Sequence, residues 1–418
     1  MSILKKVTTI VVCCSIMLSG CITTTGGKST GTNVGPQLSS FFSKAARLGK
    51  EPGDPLDPNK PKLDVIIPIF DPGLIEGKEY NKEGVWAELR RAESIRFAYK
   101  LKVALENTNV FGAIRVTPDP TATGDLYIIG KINESDSEDV EINVSVYDIA
   151  GNHWLTESID HEVDESFHKN IRNEGKDPYD PLFEEAAKEI VEELAYKTVE
   201  ELTKIKQVAE LRFGANFIEE AFMEHMEING SIVNIASFPS DKDPMLLRTR
   251  AIRVRDQLYV DGLQDNYRAF SERMNDSYLV WQKQSFMEIK AKSDAQVKAV
   301  GEGVVGVALI GLAILAVVAG ASSDSIVDST AATTAGTVGA IAGAGFLSDS
   351  FQTSKEAAVH RDALEELAQS INSDLSPQVV EFEEKSTELT GTAVEQFSQW
   401  RKFLKKIYLE EQTPTKQL

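Results

Sequence analysis

The chain has 418 residues, and 42% of them are hydrophobic, so it is long enough for two or three domains with buried cores of their own. Acidic residues outnumber basic ones by 64 to 44, which leaves a formal net charge of -20. A surface this acidic argues against binding of nucleic acid and against attraction to anionic lipid by charge.

The first 20 residues have the layout of a secretory signal, with a basic start, an apolar stretch from Val7 to Leu18 and small residues before Cys21. The apolar stretch is too short to be a permanent membrane span. The sequence LSGC that ends at Cys21 resembles the lipobox of bacterial lipoproteins. That resemblance implies cleavage before Cys21 and acylation of the cysteine, and Ile22 in place of an aspartate implies sorting to the outer membrane.

A flexible tether is predicted to follow, over residues 21–61. Its composition is rich in Thr, Gly, Ser and Pro, which bury too little apolar surface to fold. Within it, QLSSFFSKAARLG puts its apolar residues on one helical face, so this stretch is expected to lie on the membrane or to pack on a neighbour. Removal of the signal also removes Cys13 and Cys14, so the mature chain is expected to have no disulfide.

A small sheet domain is predicted over residues 62–205. KLDVIIPIFDPG is typical of a buried strand ended by a turn, and GVWAELRRAESIRFAYKLKVALENTNVFG has helical periodicity. AIRVTPD, DLYIIGKIN and VEINVSVYDIAGNHWLTESI predict further strands, with DIAGN as the turn of a hairpin. The order strand, helix, strand, strand, strand predicts a small sheet backed by one helix.

These elements resemble a known group of bacterial envelope domains. VIIPIFD, LENTNVFGAIRVTP, GDLYIIGKI and VYDIAGN look like the periplasmic domain of curli-secretion lipoproteins, lipoprotein activators of penicillin-binding proteins and the N-terminal part of TolB. DPYDPLFEEAAKEIVEEL is similar to the helix that often closes such domains. The resemblance implies a part in assembly or secretion, frequently in rings, and it fixes no chemistry.

A very long helix is predicted next. After a helix around IKQVAELRFGANFIEEAFMEHMEIN and a turn at NGSIVNIASFPSDKDP, the chain from Met245 to Val300 has no proline and one internal glycine, Gly262. Apolar residues recur three to six positions apart throughout. One helix of this length would extend about 80 Å, as a stalk or the side of a bundle.

Two uncharged stretches follow, 303–323 and 329–348, each near the length of a membrane span. Small residues four apart in the second stretch, in the manner of a glycine zipper, would let it pack closely on the first. The helix-packing positions are Gly336, Gly339 and Gly343. Helices are then predicted from Lys355 to Ser373 and, after Pro377, to about Glu411.

This apolar hairpin has two possible environments, a membrane or the interior of a protein. A hairpin across the inner membrane would put the acidic loop Asp324 to Asp328 in the cytoplasm, opposite to the usual charge bias. The hairpin is therefore expected either to enter or assemble within the outer membrane, or to be buried in a helical core or an oligomer interface.

The candidate chemical sites are sparse. GEGVVG, residues 301–306, matches a dinucleotide fingerprint but follows a long helix, so close helix packing explains it better. His153, His161 and His168 stand near acidic residues, yet their spacing fits no metal motif. FIEEAFMEHMEIN puts two glutamates on one helical face beside His225, but no second such motif completes a metal site.

The predicted fold class is α+β, a small α/β sheet domain followed by a long all-α domain with an apolar helical hairpin. We expect a non-enzymatic outer-membrane lipoprotein that faces the periplasm, requires no cofactor or metal, and acts as a scaffold or translocation component with itself or with envelope proteins. The alternative is a lipoprotein that docks and regulates an envelope enzyme through its α/β domain. The predicted parts are 1–20 signal, 21–61 tether, 62–205 α/β domain, 206–300 long helical segment, 301–348 apolar hairpin and 349–418 returning helices.

Overall fold

The protein has a mixed α/β fold around one five-stranded sheet, in a computed structural model that describes residues 51–75, 86–301, 358–370, 378–382 and 385–412. The sheet has the order β2-β1-β3-β4-β5, with β1 parallel to both of its neighbours and β3 to β5 antiparallel. Its strands are β1 Val65–Pro68, β2 Ile114–Thr117, β3 Leu126–Ser135, β4 Asp139–Asp148 and β5 His153–Glu162. The predicted order of strands and helix in this domain is therefore confirmed.

The first helix, α1, extends from Ala87 to Thr108 and connects β1 to β2. Seven consecutive residues, Ala92 to Ala98, are buried, which is more than one face of a helix. The sheet covers one side of α1, and other helices cover the remaining sides. Because its core-facing sides include Arg90, Glu93 and Arg96, this helix places charged groups inside the protein.

The β4–β5 hairpin turns at Asp148 to Asn152, as DIAGN predicts. The turn needs glycine at Gly151, where φ is +90° and an added Cβ would lie 2.1 Å from the carbonyl oxygen of Ser231. Ser231 lies in the turn of a second, two-stranded sheet, which consists of β6 Met226–Asn229 and β7 Ile232–Ile235.

Helices α2 Asp180–Ala195, α3 Val199–Phe217 and α4 Glu219–Met223 connect the two sheets. Thr198 and Glu201 form a capping box at the start of α3. The prediction of one helix through FIEEAFMEHMEIN is wrong, because the backbone leaves the helical region at Ile218 and the chain then forms β6. Residues 51–61 lie partly against this region, since the amide of Gly53 donates to the carbonyl of Ala195 at 2.9 Å.

The long helix α5 extends from Pro244 to Gly301, within one residue of its predicted limits at each end. Asp243 caps it, since its Oδ1 accepts from the amides of Met245 and Leu246 at 2.8 and 3.0 Å. At 1.5 Å per residue its 58 residues extend about 87 Å.

The chain after the apolar stretches returns to α5. Helix α6, Ala358–Ser370, packs on α1 and α5, and helix α7, Ala393–Gln412, packs on α3 and α5. Between them β8 Gln378–Phe382 and β9 Lys385–Leu389 form a hairpin. The prediction of continuous helix after Pro377 is therefore wrong. Val379, Val380 and Phe382 favour a strand there over the helical tendency of the adjacent charges.

Several predicted features lie outside the described residues. These are the signal, Cys21, most of the tether and the apolar stretches 303–348 with Gly336, Gly339 and Gly343. Among the helices that the structure describes, none is long and apolar enough to cross a membrane.

Candidate functional site

The candidate site is the surface on which α5 docks to the α/β domain, because it contains buried charges that neither a sheet nor a helix needs for its own folding. Three groups of side chains along α5 make this contact. We name them the Arg96, Asp125 and Asp256 clusters, after the most buried ionised residue of each.

In the Arg96 cluster, the guanidinium of Arg96 joins three elements and is 1% exposed. Its Nη2 donates to Asp177 Oδ2 at 2.7 Å, just before α2, and to Asn275 Oδ1 of α5 at 3.0 Å. Its Nη1 donates to the carbonyl of Ser271 in α5 at 3.1 Å, and the guanidinium lies 4.7 Å from the ring centre of Tyr278. One buried cation on α1 thus fixes both α5 and the start of α2.

Asp177 is the counterion of this cluster and its own hydrogen bonds are also shared between elements. Its Oδ1 accepts from the amide of Tyr179 at 3.0 Å and from Gln282 of α5 at 3.1 Å, while Lys100 lies 3.2 Å from Oδ2. Burial opposes ionisation of this carboxyl, but Arg96 and Lys100 outweigh it and lower its pKa to about 2. Asp177 is therefore a carboxylate at every physiological pH.

A second carboxyl, Glu93, lies next to this cluster on α1. Its Oε1 accepts from Tyr278 of α5 and from Ser135 of β3, both at 2.7 Å, and Arg90 lies 3.3 Å from Oε2. Burial raises the pKa of Glu93, and the hydrogen bonds and Arg90 act in the opposite direction. The tyrosine hydroxyl adds another link between α5 and the sheet domain.

In the Asp125 cluster, a fully buried carboxylate at the start of β3 binds two helices. Asp125 Oδ2 lies 2.9 Å from Lys206 of α3, and Oδ1 lies 3.3 Å from Arg253 of α5. The neighbouring Asp64, just before β1, accepts from Gln257 of α5 at 3.2 Å. These contacts place the first half of α5 beside the middle of α3 and the start of the sheet strands.

The same part of α5 covers the edge strand β2. Arg115 makes two hydrogen bonds to the carboxylate of Asp261, at 2.6 and 3.1 Å, in the paired geometry that favours arginine. The side-chain amide of Gln264 accepts from the amide of Val116 and donates to its carbonyl, both at 2.9 Å. Gln264 thus satisfies the outward backbone groups that an edge strand leaves open.

In the Asp256 cluster, α5 binds the end of the chain. Asp256 is 1% exposed and accepts from Trp400 Nε1 of α7 at 3.2 Å and from Thr123 at 3.1 Å, in the connection before β3. Arg401 lies 3.2 Å from the same carboxylate and also donates to the carbonyl of Thr121 at 2.9 Å. Helix α7 therefore closes over α5 and the sheet domain together.

Taken along the helix, the contacts extend from Arg253 to Gln282, a distance of about 44 Å at the rise of an α-helix. Removal of one partner from a buried ion pair costs about 3 to 5 kcal/mol, so each cluster strongly opposes release of α5. The three clusters together hold one long helix, α5, in a fixed direction on the α/β domain.

Farther along, α5 meets an acidic turn between β3 and β4. Lys290 forms an ion pair with Glu138, and Asp136 and Asp139 lie in the same turn. Partial loss of hydration and the neighbouring carboxylates raise the pKa of Asp139 to about 6, although the residue is exposed. Because this pKa is above its ordinary value of 3.8, the charged form is disfavoured in the folded state.

Asp139→Asn is expected to raise the free energy of unfolding near pH 7. The stabilising effect of the protonated carboxyl is complete below its unfolded pKa and is lost as pH rises through about 6, so the variant gains only at higher pH. Since Asp139 is exposed, the gain should stay below about 1 kcal/mol. Urea unfolding at pH 4 and pH 7 measures it, and an equal difference at both pH values would contradict the assignment.

The histidines singled out in the sequence lie in separate places. His153 and His161 stand at opposite ends of β5, about 26 Å apart along the strand, and His168 lies in the connection to α2. His225 Nδ1 lies 2.6 Å from the hydroxyl of Ser237, and Glu224 is exposed. Over the described parts of the chain, no three His, Cys, Asp or Glu side chains are grouped to hold a metal ion. Gly301 of GEGVVG is the last residue of α5, and the rest of that motif lies outside the described residues.

Comparisons with protein-family models, with curated proteins and with solved structures found no match to this chain. Sequence reasoning missed the docking clusters, although a signal for them exists. Asp256 is one helical turn from both Ile252 and Val260 on the buried stripe of α5, and a charge on such a stripe indicates a buried partner.

Proposed function

We propose that the protein is an outer-membrane lipoprotein that acts as a non-enzymatic scaffold, in assembly or translocation across the cell envelope. In this proposal Cys21 carries the lipid, and the α/β domain directs α5 toward the apolar stretches 303–348. The oligomer or envelope complex forms through those stretches, whichever of the two environments surrounds them.

The position of α5 gives this proposal its main support. The docking clusters hold α5 over about 44 Å, and the helix then continues to Gly301, two residues before the first uncharged stretch begins at Gly303. After the second stretch, α6 packs against the same helix, where His360 lies 3.2 Å from Ser277. A helix that is held on the protein, leads to residues 303–348 and is contacted again by α6 after them is suited to positioning those residues.

The size of the detergent-extracted protein tests this proposal. A scaffold that assembles through residues 303–348 is expected to elute as a large homo-oligomer or in a complex with envelope proteins. A monomer that binds one soluble envelope enzyme with its α/β domain would favour the docking alternative. Light scattering coupled to size exclusion separates the two results because it measures mass independently of shape.

Cys21→Ser is expected to abolish acylation and cleavage of the signal, because the thiol is the group that receives the lipid. One acyl chain binds a membrane marginally, so anchoring depends on several chains or on a second apolar element. The variant should therefore leave the membrane fraction unless residues 303–348 also hold it.

Palmitate labelling and fractionation measure this, and Cys13→Ser with Cys14→Ser is the matched control. Both control residues lie in the part that is removed, so the control protein should be labelled and processed as the wild type is. Normal processing and full labelling of Cys21→Ser would refute the lipidation proposal.

A further inference from the structure

A cleft lies between the β5–α2 connection and one turn of α5, outside the three docking clusters. Its volume is about 310 Å³, at the small end of the range for sites that bind small molecules. Two short 3-10 turns, Phe167–Lys169 and Ile171–Asn173, form one wall. Leu279 and Lys283 of α5 form the other wall.

The charge of this cleft is opposite to that of the protein. Lys169, Lys176 and Lys283 line it with a single acidic residue, Glu174, so the lining has a charge of +2 in a chain whose net charge is -20. All three lysines are exposed, and no carboxylate of the described residues lies within salt-bridge distance of them. Unpaired lysines gathered in a concave surface concentrate positive potential where an anion can enter.

The inner wall of the cleft is aromatic. The His168 ring lies 5.3 Å from Phe167 and 5.1 Å from Phe286 of α5, centre to centre. Its Nε2 is excluded from water and has no hydrogen-bond partner among the described residues.

We propose that this cleft binds an organic phosphomonoester. A phosphomonoester carries a charge of about -2 at neutral pH, which matches the +2 of the lining. The ammonium groups of lysine are compact charges that suit phosphate oxygens without demanding one fixed geometry. Phe167 and Leu279 offer apolar surface to the organic part of the ligand.

The position of the cleft gives binding a structural consequence. Lys176 and Pro178 flank Asp177, and Lys283 follows Gln282, so the ligand would bridge the same two segments that the Arg96 cluster joins. A ligand that binds only when α5 is docked stabilises the docked state in proportion to its concentration over its Kd. Phosphomonoester binding would therefore tighten the hold on the long helix.

Calorimetric titration of the full-length, detergent-extracted protein with phenyl phosphate tests the proposal. Lys176→Gln with Lys283→Gln is expected to weaken binding by at least about tenfold, since it removes two of the three lysines and lowers the charge of the lining from +2 to 0. The matched control is Lys204→Gln with Lys405→Gln, which removes two exposed lysines outside the cleft and should bind as the wild type does. Unchanged melting temperatures without ligand show that both variants are folded.

Three results would overturn the proposal. The first is no binding of phenyl phosphate up to about 10 mM, and the second is equal weakening in the control, which would assign binding to the overall field of the protein. The third is equally tight binding of phenylacetate, which would assign the cleft to carboxylates. Vesicles of phosphatidylcholine with and without phosphatidic acid then distinguish two sources of the bound group. Displacement of phenyl phosphate only by the acidic vesicles identifies a lipid headgroup, and no displacement by either identifies a soluble phosphomonoester.

Discussion

Asp177→Ala is expected to lower the free energy of unfolding by about 3 to 5 kcal/mol, which is a large part of the stability of an ordinary domain. The substitution leaves the guanidinium of Arg96 buried without its counterion, and it removes the acceptor for the amide of Tyr179 and for Gln282. Trp281, whose ring lies 5.2 Å from that of Tyr278 in the same cluster, makes fluorescence during urea unfolding a suitable measurement.

The chain contains a closely matched control for this prediction. Asp180 also pairs with Lys100, at 2.6 Å, but its side chain is 44% exposed against 3% for that of Asp177. Asp180→Ala is therefore expected to cost less than about 1 kcal/mol, as exposed ion pairs do. If the two variants unfold at the same urea concentration, burial does not give the Arg96 cluster its strength and the docking argument fails.

The dependence on pH gives a second check of the same residue. The pKa of Asp177 is lowered to about 2 from an ordinary value of 3.8, so its carboxylate stabilises the fold above that ordinary value. This contribution is lost as pH falls from 3.8 through about 2. The difference in stability between the wild type and Asp177→Ala should therefore shrink only below about pH 4.

Removal of residues 303–348 is expected to abolish the oligomer while the α/β domain stays folded. The described core lies outside this stretch, since α5 contacts the rest of the protein as far as Lys290 and α6 packs on α1 and α5. Loss of the apolar stretches removes the contact through which we propose that copies or envelope partners meet. Light scattering of the extracted protein measures the result, and circular dichroism shows whether the domain is folded.

Geometry decides how this variant should be built. His360 lies beside Ser277, and Gly301 is 24 residues farther along α5, which is about 36 Å. A direct deletion would leave ten residues, 302 and 349–357, between Gly301 and the start of α6 at Ala358, two residues before His360. Ten extended residues reach about 33 to 36 Å, so the connection would be almost fully extended. A replacement of about 20 Gly and Ser residues removes this strain, so loss of the oligomer then reports the apolar stretches themselves.

A finer variant tests the helix packing that we predict within the second stretch. Gly339→Leu with Gly343→Leu should disturb assembly because two large side chains prevent close approach of helices, whereas the same positions changed to Ala should preserve it.

If the Gly/Ser replacement keeps the oligomer size and full function in cells, the apolar stretches are neither pore nor interface. The docking alternative would then be preferred.

The larger elements of this fold were predictable because their signals are local. Residues 245–300 contain no proline and a single glycine, Gly262, beside which an added Cβ would meet no atom within 4 Å. The helix limits follow from that pattern almost to the residue. The β6–β7 hairpin was not predicted, because the helical periodicity before it was extended too far. Asn229-Gly230 is a known hairpin signal, and φ at Gly230 is +66°.

The candidate site was not predictable in the same way. Arg96 and Asp177 are 81 residues apart in the chain, and Gln257 and Asp64 are 193 apart. A single sequence indicates that a charge on a buried stripe needs a partner, but it does not indicate which of many distant carboxylates supplies it. Those pairings arise only when the strands and α5 come together.

Because Gln264 covers the edge of β2, that edge stays exposed until α5 has been synthesised. Val116 precedes Gln264 by 148 residues, so during synthesis from the N-terminus the sheet strands emerge long before the residue that covers their edge. Throughout that interval the outward backbone groups of β2 can pair with a strand of another copy. A chain truncated after residue 205 never receives this cover. Such a fragment is expected to fold its core but to associate through its β2 edge, more strongly as its concentration rises. In the full chain, a chaperone that binds extended segments would protect this edge until α5 has been synthesised.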